Sequence, residues 1–392
     1  MLTVNTLPAF QRALADAGVD GWLLFDFRGV NPIAKDLLGI EGMATRRVWA
    51  WVPAHGAPVA LTHAIEQDAW RHWPREWIRE TYSSWRSLEQ LLAKHVAKRR
   101  VAMEYSPRDA VPYLDRIPAG VLEMVRAAGA DVVSSGELVS RFYAVWTDEN
   151  VASHLRAAER VATIAKEAMA FAGRRAHAGH PLAEHELMHW ILEQFRDSGL
   201  STDHGPNVSV GENAANPHYE PSPHHPRAIR VGEILLIDLW AKEDGGVYAD
   251  QTWMGSVGEA SPDARRIWAA VRDARDRAIE VVRDAAASNT PIRGAQVDDA
   301  ARSIIVERGY GEFFTHRTGH SIDARDLHGS GPHLDNLETR EERLLIPGVG
   351  FSIEPGVYVP GKIGMRSEVN VFLRSGEAVV TPKNFQVELM EV

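Results

Sequence analysis

Asp238, Asp250, His320, Glu354 and Glu368 have the types and spacing to do chemistry, since each lies in a short apolar or glycine-flanked stretch. A carboxylate buried unpaired in such a stretch costs several kcal/mol. Carboxylates crowded together raise one another's pKa, whereas two divalent cations would neutralise four of them and make the cluster stable. The residue types therefore predict a two-metal site.

The elements that must position these side chains are strand pairs. Asp238 lies in the apolar run Ile234 to Trp240, and Asp250 lies twelve residues later on the expected return strand, Val247 to Met254. A hairpin would set the two carboxylates facing each other, ~5 Å apart. Glu354, in Phe351 to Val359, and Glu368, in Met365 to Leu373, repeat that layout fourteen residues apart. A lone acid reads as a turn, cap or edge residue, but two matching hairpins favour a shared cation. Histidines gather in the same region: His316 and His320, then His328, with His218 further upstream.

Gly205-Pro-Asn207, Pro217-His-Tyr219, Ile237-Asp-Leu239 with Tyr248-Ala-Asp-Gln-Thr252, Thr318-Gly-His320, Phe351-Ser-Ile-Glu-Pro-Gly356 and Arg366-Ser-Glu368 together resemble the pita-bread metallopeptidases. That family includes prolidase, aminopeptidase P, methionine aminopeptidase and creatinase. The ordered motifs span residues 204–368, and the N-terminal part looks like the noncatalytic domain of prolidases and aminopeptidases P. The resemblance implies that Asp238 holds one metal, that Asp250 and Glu368 bridge both, and that His320 and Glu354 complete the shells. It also implies that His218 and His328 contact substrate and tetrahedral intermediate, that Arg366 lies beside the site, and that Glu354 handles the nucleophile's proton.

Two cations would lower the pKa of a shared water so that hydroxide attacks at neutral pH, and would stabilise the developing oxyanion. A carboxylate-rich shell with one imidazole suits Mn²⁺ first, with Zn²⁺ and Co²⁺ next, because none of its ligands is soft. The implied activity is cleavage of the Xaa-Pro bond, as a prolidase-like dipeptidase or as an aminopeptidase acting on longer peptides. A dipeptidase also needs a cation for the substrate's C-terminal carboxylate, for which Arg366 is the candidate. The implied partner is a small peptide with proline after the scissile bond, and the implied assembly is a homodimer. Three departures border the pocket: the Asp238–Asp250 spacer is one residue over the usual length, Trp253 replaces a common arginine, and Ile322-Asp323 interrupts the usual glycine after His320.

The rest of the sequence bounds these expectations. Its 392 residues, 45% hydrophobic and 24% charged, exceed one typical domain and describe an ordinary globular protein. The expected class is α/β (α+β): an N-terminal α/β domain over residues 1–146 and a pita-bread catalytic domain over 147–392. Strands are expected at Trp22 to Phe25, Val48 to Val52, Val59 to Thr62 and Val101 to Glu104, and a helix at Pro8 to Ala17. Thr147 should cap the first helix of the second domain, with Leu155, Ala158, Ala162, Ala165, Met169 and Ala172 as its buried stripe, ended by Gly173 and Gly179. Further helices are expected at 261–286 and 293–308.

A net charge of -10 without concentrated Lys and Arg disfavours nucleic acid or an acidic membrane as partner. The absence of cysteine excludes disulfides, thiolate-bound metals and a thiol nucleophile. No stretch has the ~20 apolar residues of a membrane span, and the start lacks a signal pattern, so a cytoplasmic protein is expected.

Two other readings compete. His185-Glu-Leu-Met-His189 matches the zincin pattern, but Leu187, Trp190, Ile191 and Phe195 form the apolar face of that helix and turn the histidines to solvent. A pita-bread protein can also serve as a metal-free creatinase-like enzyme, a lyase or a binding module.

Overall fold

Near-continuous apolar runs broken by caps and turns build the first unit, Met1–Tyr143, of the computed structural model, which describes every residue except Met43. Its sheet comprises β1 (Gly21–Asp26), β2 (Val48–Pro53), β3 (Val59–His63), β4 (Ile78–Tyr82), β5 (Arg100–Met103) and β6 (Asp131–Ser134), in the order β4-β3-β2-β1-β5-β6. The β2–β3 pair forms the expected hairpin, and β2 is antiparallel to β1 as well. β3 and β4 run parallel, as do β1, β5 and β6.

Helices cover both faces of this sheet, which is why β1 and β2 are buried along their whole length. Trp22 and Leu24 pack with α1 (Leu7–Asp16), α2 (Pro32–Leu38) and α5 (Gly136–Phe142). Leu23 and Phe25 pack with α3 (Trp85–Val96) and α4 (Ala119–Ala127). The sequence reading missed β4 and β6. β4 is largely exposed and carries charge, and β6 has only four residues, so neither shows the apolar run of a buried strand.

The second unit spans Ala144–Val392. Thr147 caps α6 (Asp148–His177), exchanging hydrogen bonds with Asn150 in a capping box. The alanine stripe of α6 is buried, but Leu155 is 37% exposed and does not belong to it. Gly173 does not end this helix, which runs on to His177. A Cβ there would lie 2.7 Å from the backbone of Val392, so the glycine admits the last residue of the chain against the helix.

Beyond α7 (Glu184–Asp197) come β7 (Asn207–Val210), β8 (Ile234–Ala241) and β9 (Ala249–Ser256), followed by α8 (Pro262–Ser288) and α9 (Gly294–Glu307). The remaining strands are β10 (Ser321–Ile322), β11 (Gly350–Ile353), β12 (Gly356–Val359), β13 (Ile363–Arg366), β14 (Val369–Arg374), β15 (Glu377–Thr381) and β16 (Met390–Glu391). They form one sheet in the order β16-β9-β8-β7, another in the order β10-β11-β14-β15, and the two-stranded ribbon β12–β13.

Apolar side chains of α6 and α7 bury one sheet through Val208, Leu235, Ile237 and Leu239. Those of α8 and α9 bury the other through Phe351, Ile353, Val369 and Val371. Among the described residues, no helix is long and apolar enough to cross a membrane.

Two sequence expectations need correction. The runs Phe351 to Val359 and Met365 to Leu373 are not continuous strands. Each is interrupted midway, into β11 and β12 on one side and β13 and β14 on the other, although the two runs pair with each other in a single hairpin register as expected. Pro355 has no N–H to continue a ladder, and the breaks fall at Glu354-Pro355 and Ser367-Glu368. Asp238 and Asp250 are also not directly opposed. The register sets Asp238 against Thr252 and Trp240 against Asp250, so the two carboxylates are diagonal neighbours on one face.

Candidate metal centre

Strand alternation sends Asp238 and Asp250 to the same face of the β8–β9 hairpin, and the breaks in the other strand pair deliver Glu354 and Glu368. His320 arrives immediately before β10, where its amide donates to Ser352 Oγ at 2.9 Å and its carbonyl accepts from Ser352 N at 2.8 Å. All five residues are buried.

Asp250, His320 and Glu368 each offer a ligand atom within 4.8 Å of the other two. The ring of His320 is oriented by its Nδ1, which donates to Ser321 O at 3.1 Å and leaves the Nε2 lone pair inward. Nε2 lies 3.3 Å from Asp250 Oδ2 and 3.4 Å from Glu354 Oε1. Glu354 Oε1 also accepts from Ser352 Oγ at 3.1 Å.

Arg366 is the counter-ion in this cluster. It ion-pairs with Asp238, donates from Nε to Thr252 Oγ1 at 2.7 Å, and approaches Glu354 at 3.7 Å and Glu368 at 3.9 Å. Thr252 passes the contact on, donating its hydroxyl to Glu368 Oε2 at 2.8 Å. Only 6% of the surface of Arg366 is exposed, and its guanidinium faces these acids.

The cluster passes a direct test of fitness for cations. Asp250 Oδ1 and Glu368 Oε1 are buried and have no hydrogen-bond partner among the described residues. Buried carboxylate oxygens are rarely left so, and a bound ion is one partner that would satisfy both. The donor set of four carboxylates and one imidazole suits a hard or borderline divalent ion.

Electrostatics agree. Burial, reinforced by the other acids, raises the pKa of Asp250 and Glu368. It raises Asp238 too, although Arg366 opposes the rise. For Glu354 burial also acts upward, but His320, Arg366 and His316 outweigh it and hold the group well below the usual range.

These shifts tie the stability of the cluster to pH. A carboxyl group with a raised folded pKa keeps its proton where the unfolded chain has lost it, so its contribution declines above the unfolded value of ~4. Asp238, Asp250 and Glu368 all have this sign. Glu354 has the opposite one, contributing stability above the unfolded value that is lost as pH falls. His154, His316, His320, His328 and His333, with lowered pKa values, likewise lose stability as pH falls, so the slope of the whole protein does not report the carboxyls alone. Divalent ions compete with the protons of the three raised carboxyls, so the rise in thermal midpoint that they confer is expected to be several degrees larger at pH ~8 than at pH ~5. A rise that does not grow with pH would contradict the assignment.

The other expected site residues are less tightly held. The ring of His328 meets that of His320 edge-on, with centroids 4.1 Å apart. The neighbouring ring, with burial second, lowers its imidazole pKa, and His328 keeps an exposed surface. Asp323, at one of the departures from the usual pattern, organises this loop by accepting from the amides of Arg325, Asp326 and Ser330. His218 is exposed, and its amide donates to Asn216 Oδ1 at 3.1 Å. It lies on a segment tied to the cluster, because Pro217 O accepts from Asn207 Nδ2 at 3.2 Å and Asn207 pairs with Asp238 across β7–β8.

Sequence reasoning missed the supporting shell of Thr252, Ser352, Asn370 and the His316–Tyr358 pair. The first three carried a readable signal, since each stands two positions from an acid on the same strand face: Asp250/Thr252, Ser352/Glu354 and Glu368/Asn370. Asn370 Oδ1 accepts the Asp250 amide at 2.9 Å. His316 Nε2 meets the Tyr358 hydroxyl at 2.8 Å.

The zincin-like residues build no such centre. Glu186 turns back to cap its own helix, accepting from Ala183 N at 2.7 Å. His189 is exposed, while His185 is half-buried rather than solvated as expected. Asp250, His320 and Glu368 form the one group of potential ligands that converges among the described residues.

A mixed α/β unit whose two strand pairs deliver acids to one histidine matches the sequence profile of metallopeptidase family M24 over residues 154–375. The chain belongs to that family, and its second unit has the pita-bread fold. It is 32% identical to the probable dipeptidase PepE of Mycobacterium bovis over 186 residues, covering 47% of this chain and 45% of the relative. To the Xaa-Pro dipeptidase of Lactobacillus helveticus it is 36% identical over 162 residues, covering 41% of this chain and 40% of the relative. The chain thus spans about half the length of the curated relatives it matches. Along nearly its whole length it is similar to the crystal structure of dipeptidase PepE from Mycobacterium ulcerans, with a TM-score of 0.73, 26% identity, and 99% and 97% of the two chains covered.

Proposed function

We propose that this protein is a two-metal hydrolase that cleaves the Xaa-Pro bond of dipeptides. The observation that carries the reading is the convergence of Asp250 and Glu368, each with an orphaned buried oxygen, on the inward Nε2 of His320. Relatives named as dipeptidases and Xaa-Pro dipeptidases support the substrate class. Asp238, Asp250, His320, Glu354 and Glu368 would hold two divalent ions, with Mn²⁺ favoured over Zn²⁺ and Co²⁺ for the oxygen-rich donor set. Bound there, the ions would supply Lewis acidity and lower the pKa of water.

The chain's own groups would do the rest. Glu354, kept ionised by its cationic neighbours, can receive the attacking water's proton at its carboxylate. His328 and His218 would contact the substrate, and the neutral ring of His328 can offer an N–H to a developing oxyanion. Arg366 would hold Asp238 and Glu354 in register rather than bind substrate. We extend the same reading to a noncatalytic first unit and a cytoplasmic homodimer, with which the cysteine-free composition is compatible.

Hydrolysis of Ala-Pro, Ala-Pro-Ala and Ala-Ala, with Mn²⁺, Co²⁺ or Zn²⁺ and again after chelation, tests the proposal. Cleavage of Ala-Pro that chelation abolishes is expected. Preferential cleavage of the tripeptide would make the protein an aminopeptidase, and full activity after complete chelation would end the two-metal reading.

A further inference from the structure

Away from the metal cluster, a single buried carboxylate gathers three donor residues from the end of β7 and the stretch that follows it. Glu184, the first residue of α7, is 1% exposed. It accepts from Val210 N at the end of β7 at 2.7 Å, from Asn213 Nδ2 at 3.0 and 3.2 Å, and from the Tyr219 hydroxyl at 2.6 Å. Tyr219 directly follows His218.

The segment 213–219 is also fastened elsewhere. Asn207 holds Pro217 O, as described above. Ala214 O presses so closely on β13 that a Cβ at Gly364 would lie 1.6 Å from it, and β13 ends at Arg366. The ring of His218, by contrast, has no hydrogen bond among the described residues, so its place depends on the backbone that bears it. Groups that contact a reacting substrate must be held within about half an ångström, and packing or hydrogen bonds behind them supply that restraint.

We infer that Glu184 is a positioning residue for His218, acting through the short hydrogen bond from Tyr219. The inference rests on the proposed role of His218 as a substrate contact. Glu184 touches no substrate itself; it anchors the C-terminal end of the segment, while Asn207 anchors the residue before His218. A hydrogen bond to a carboxylate is stronger than one between neutral groups, which makes Tyr219 the firmest tie available there.

Tyr219→Phe is the informative variant, because it removes this tie but keeps the ring and the bonds of Glu184 to Val210 and Asn213. Its kcat on Ala-Pro is expected to fall on the order of tenfold with KM within about twofold of the parent, as for an interaction expressed in the transition state. Metal content should not change. In a His218→Ala background the same substitution should cost nothing further, because the two residues act in series. Losses that multiply in the double variant, or an unchanged kcat, would overturn the inference.

Hydrogen exchange provides a readout that needs no turnover. Amides of residues 213–219 should exchange faster in Tyr219→Phe while those of β8 and β9 do not. If the parent protein hydrolyses no peptide, the hydrolase reading falls. The anchoring is then judged by exchange alone: acceleration confined to 213–219 sustains it, and unaltered exchange overturns it.

Discussion

Glu368→Gln is expected to abolish normal loading of divalent metal and to lower kcat by roughly 10³-fold. The substitution preserves size, and its amide oxygen can still accept from Thr252, so the local packing survives. What disappears is the charge and the second oxygen, Oε1, which has no partner in the protein. Without metal, Glu368→Gln should be at least as stable as the parent at neutral pH, because burial and the charges of Asp250 and Glu354 disfavour an ionised group at this position. Metal analysis, kcat and the metal-free thermal midpoint therefore move in different directions, which separates loss of a ligand from general damage. Unchanged metal stoichiometry would remove Glu368 from the proposed ligand set.

The largest loss of stability is expected at Asp298→Ala, about 3–5 kcal/mol. Asp298 lies on α9 with no exposed surface, and it accepts from Thr318 N at 3.0 Å, Thr318 Oγ1 at 2.5 Å and Asn336 N at 2.9 Å. It also pairs with Arg302, whose Nη1 donates to Phe314 O at 2.9 Å and whose Nη2, besides meeting Asp298, donates to His316 O at 2.8 Å. Truncation leaves a guanidinium and two buried donors without their acceptor, which costs far more than a surface ion pair is worth. These residues fasten the segment that carries His320, so metal affinity should weaken together with stability. Urea unfolding with a lower midpoint and an unchanged slope is the expected record. A loss below about 1 kcal/mol would show that this network does not hold the segment.

Much of the centre was legible because isolated charges stood out against apolar surroundings. Asp238 within Ile-Leu-Leu-Ile-Asp-Leu-Trp and Glu354 beside Pro355 break local patterns, and such breaks mark places where burial needs a partner. The hairpins at β2–β3 and β8–β9 were equally readable from turn residues and apolar alternation. Less visible were β4, whose exposed and charged residues resemble a loop, and the interruption of the second hairpin at Glu354-Pro355 and Ser367-Glu368. Pro355 cannot donate to a ladder, but the matching break on the facing strand depends on what packs around it.

Arg366 shows the same division. From sequence it was a cation near the site and therefore a candidate for binding substrate. Once folded, it faces Asp238 and Thr252 from strands β8 and β9, and Glu354 and Glu368 from the two breaks of the other hairpin. Asp298 and Glu184 were passed over altogether, because a single acid on a helix ordinarily faces solvent. Only the tertiary neighbours reveal that each is enclosed by donors.

By itself, the sequence determined the chemical types of the proposed ligands, the strands that carry two of them, and the absence of thiol chemistry, because residue identity and alternation along a strand are local properties. Tertiary structure decided which donor atoms converge, which oxygens lack a partner and which cation is already engaged. Those outcomes depend on distances between segments more than a hundred residues apart, such as Thr252 and Glu368, and such distances are set by packing rather than by spacing along the chain.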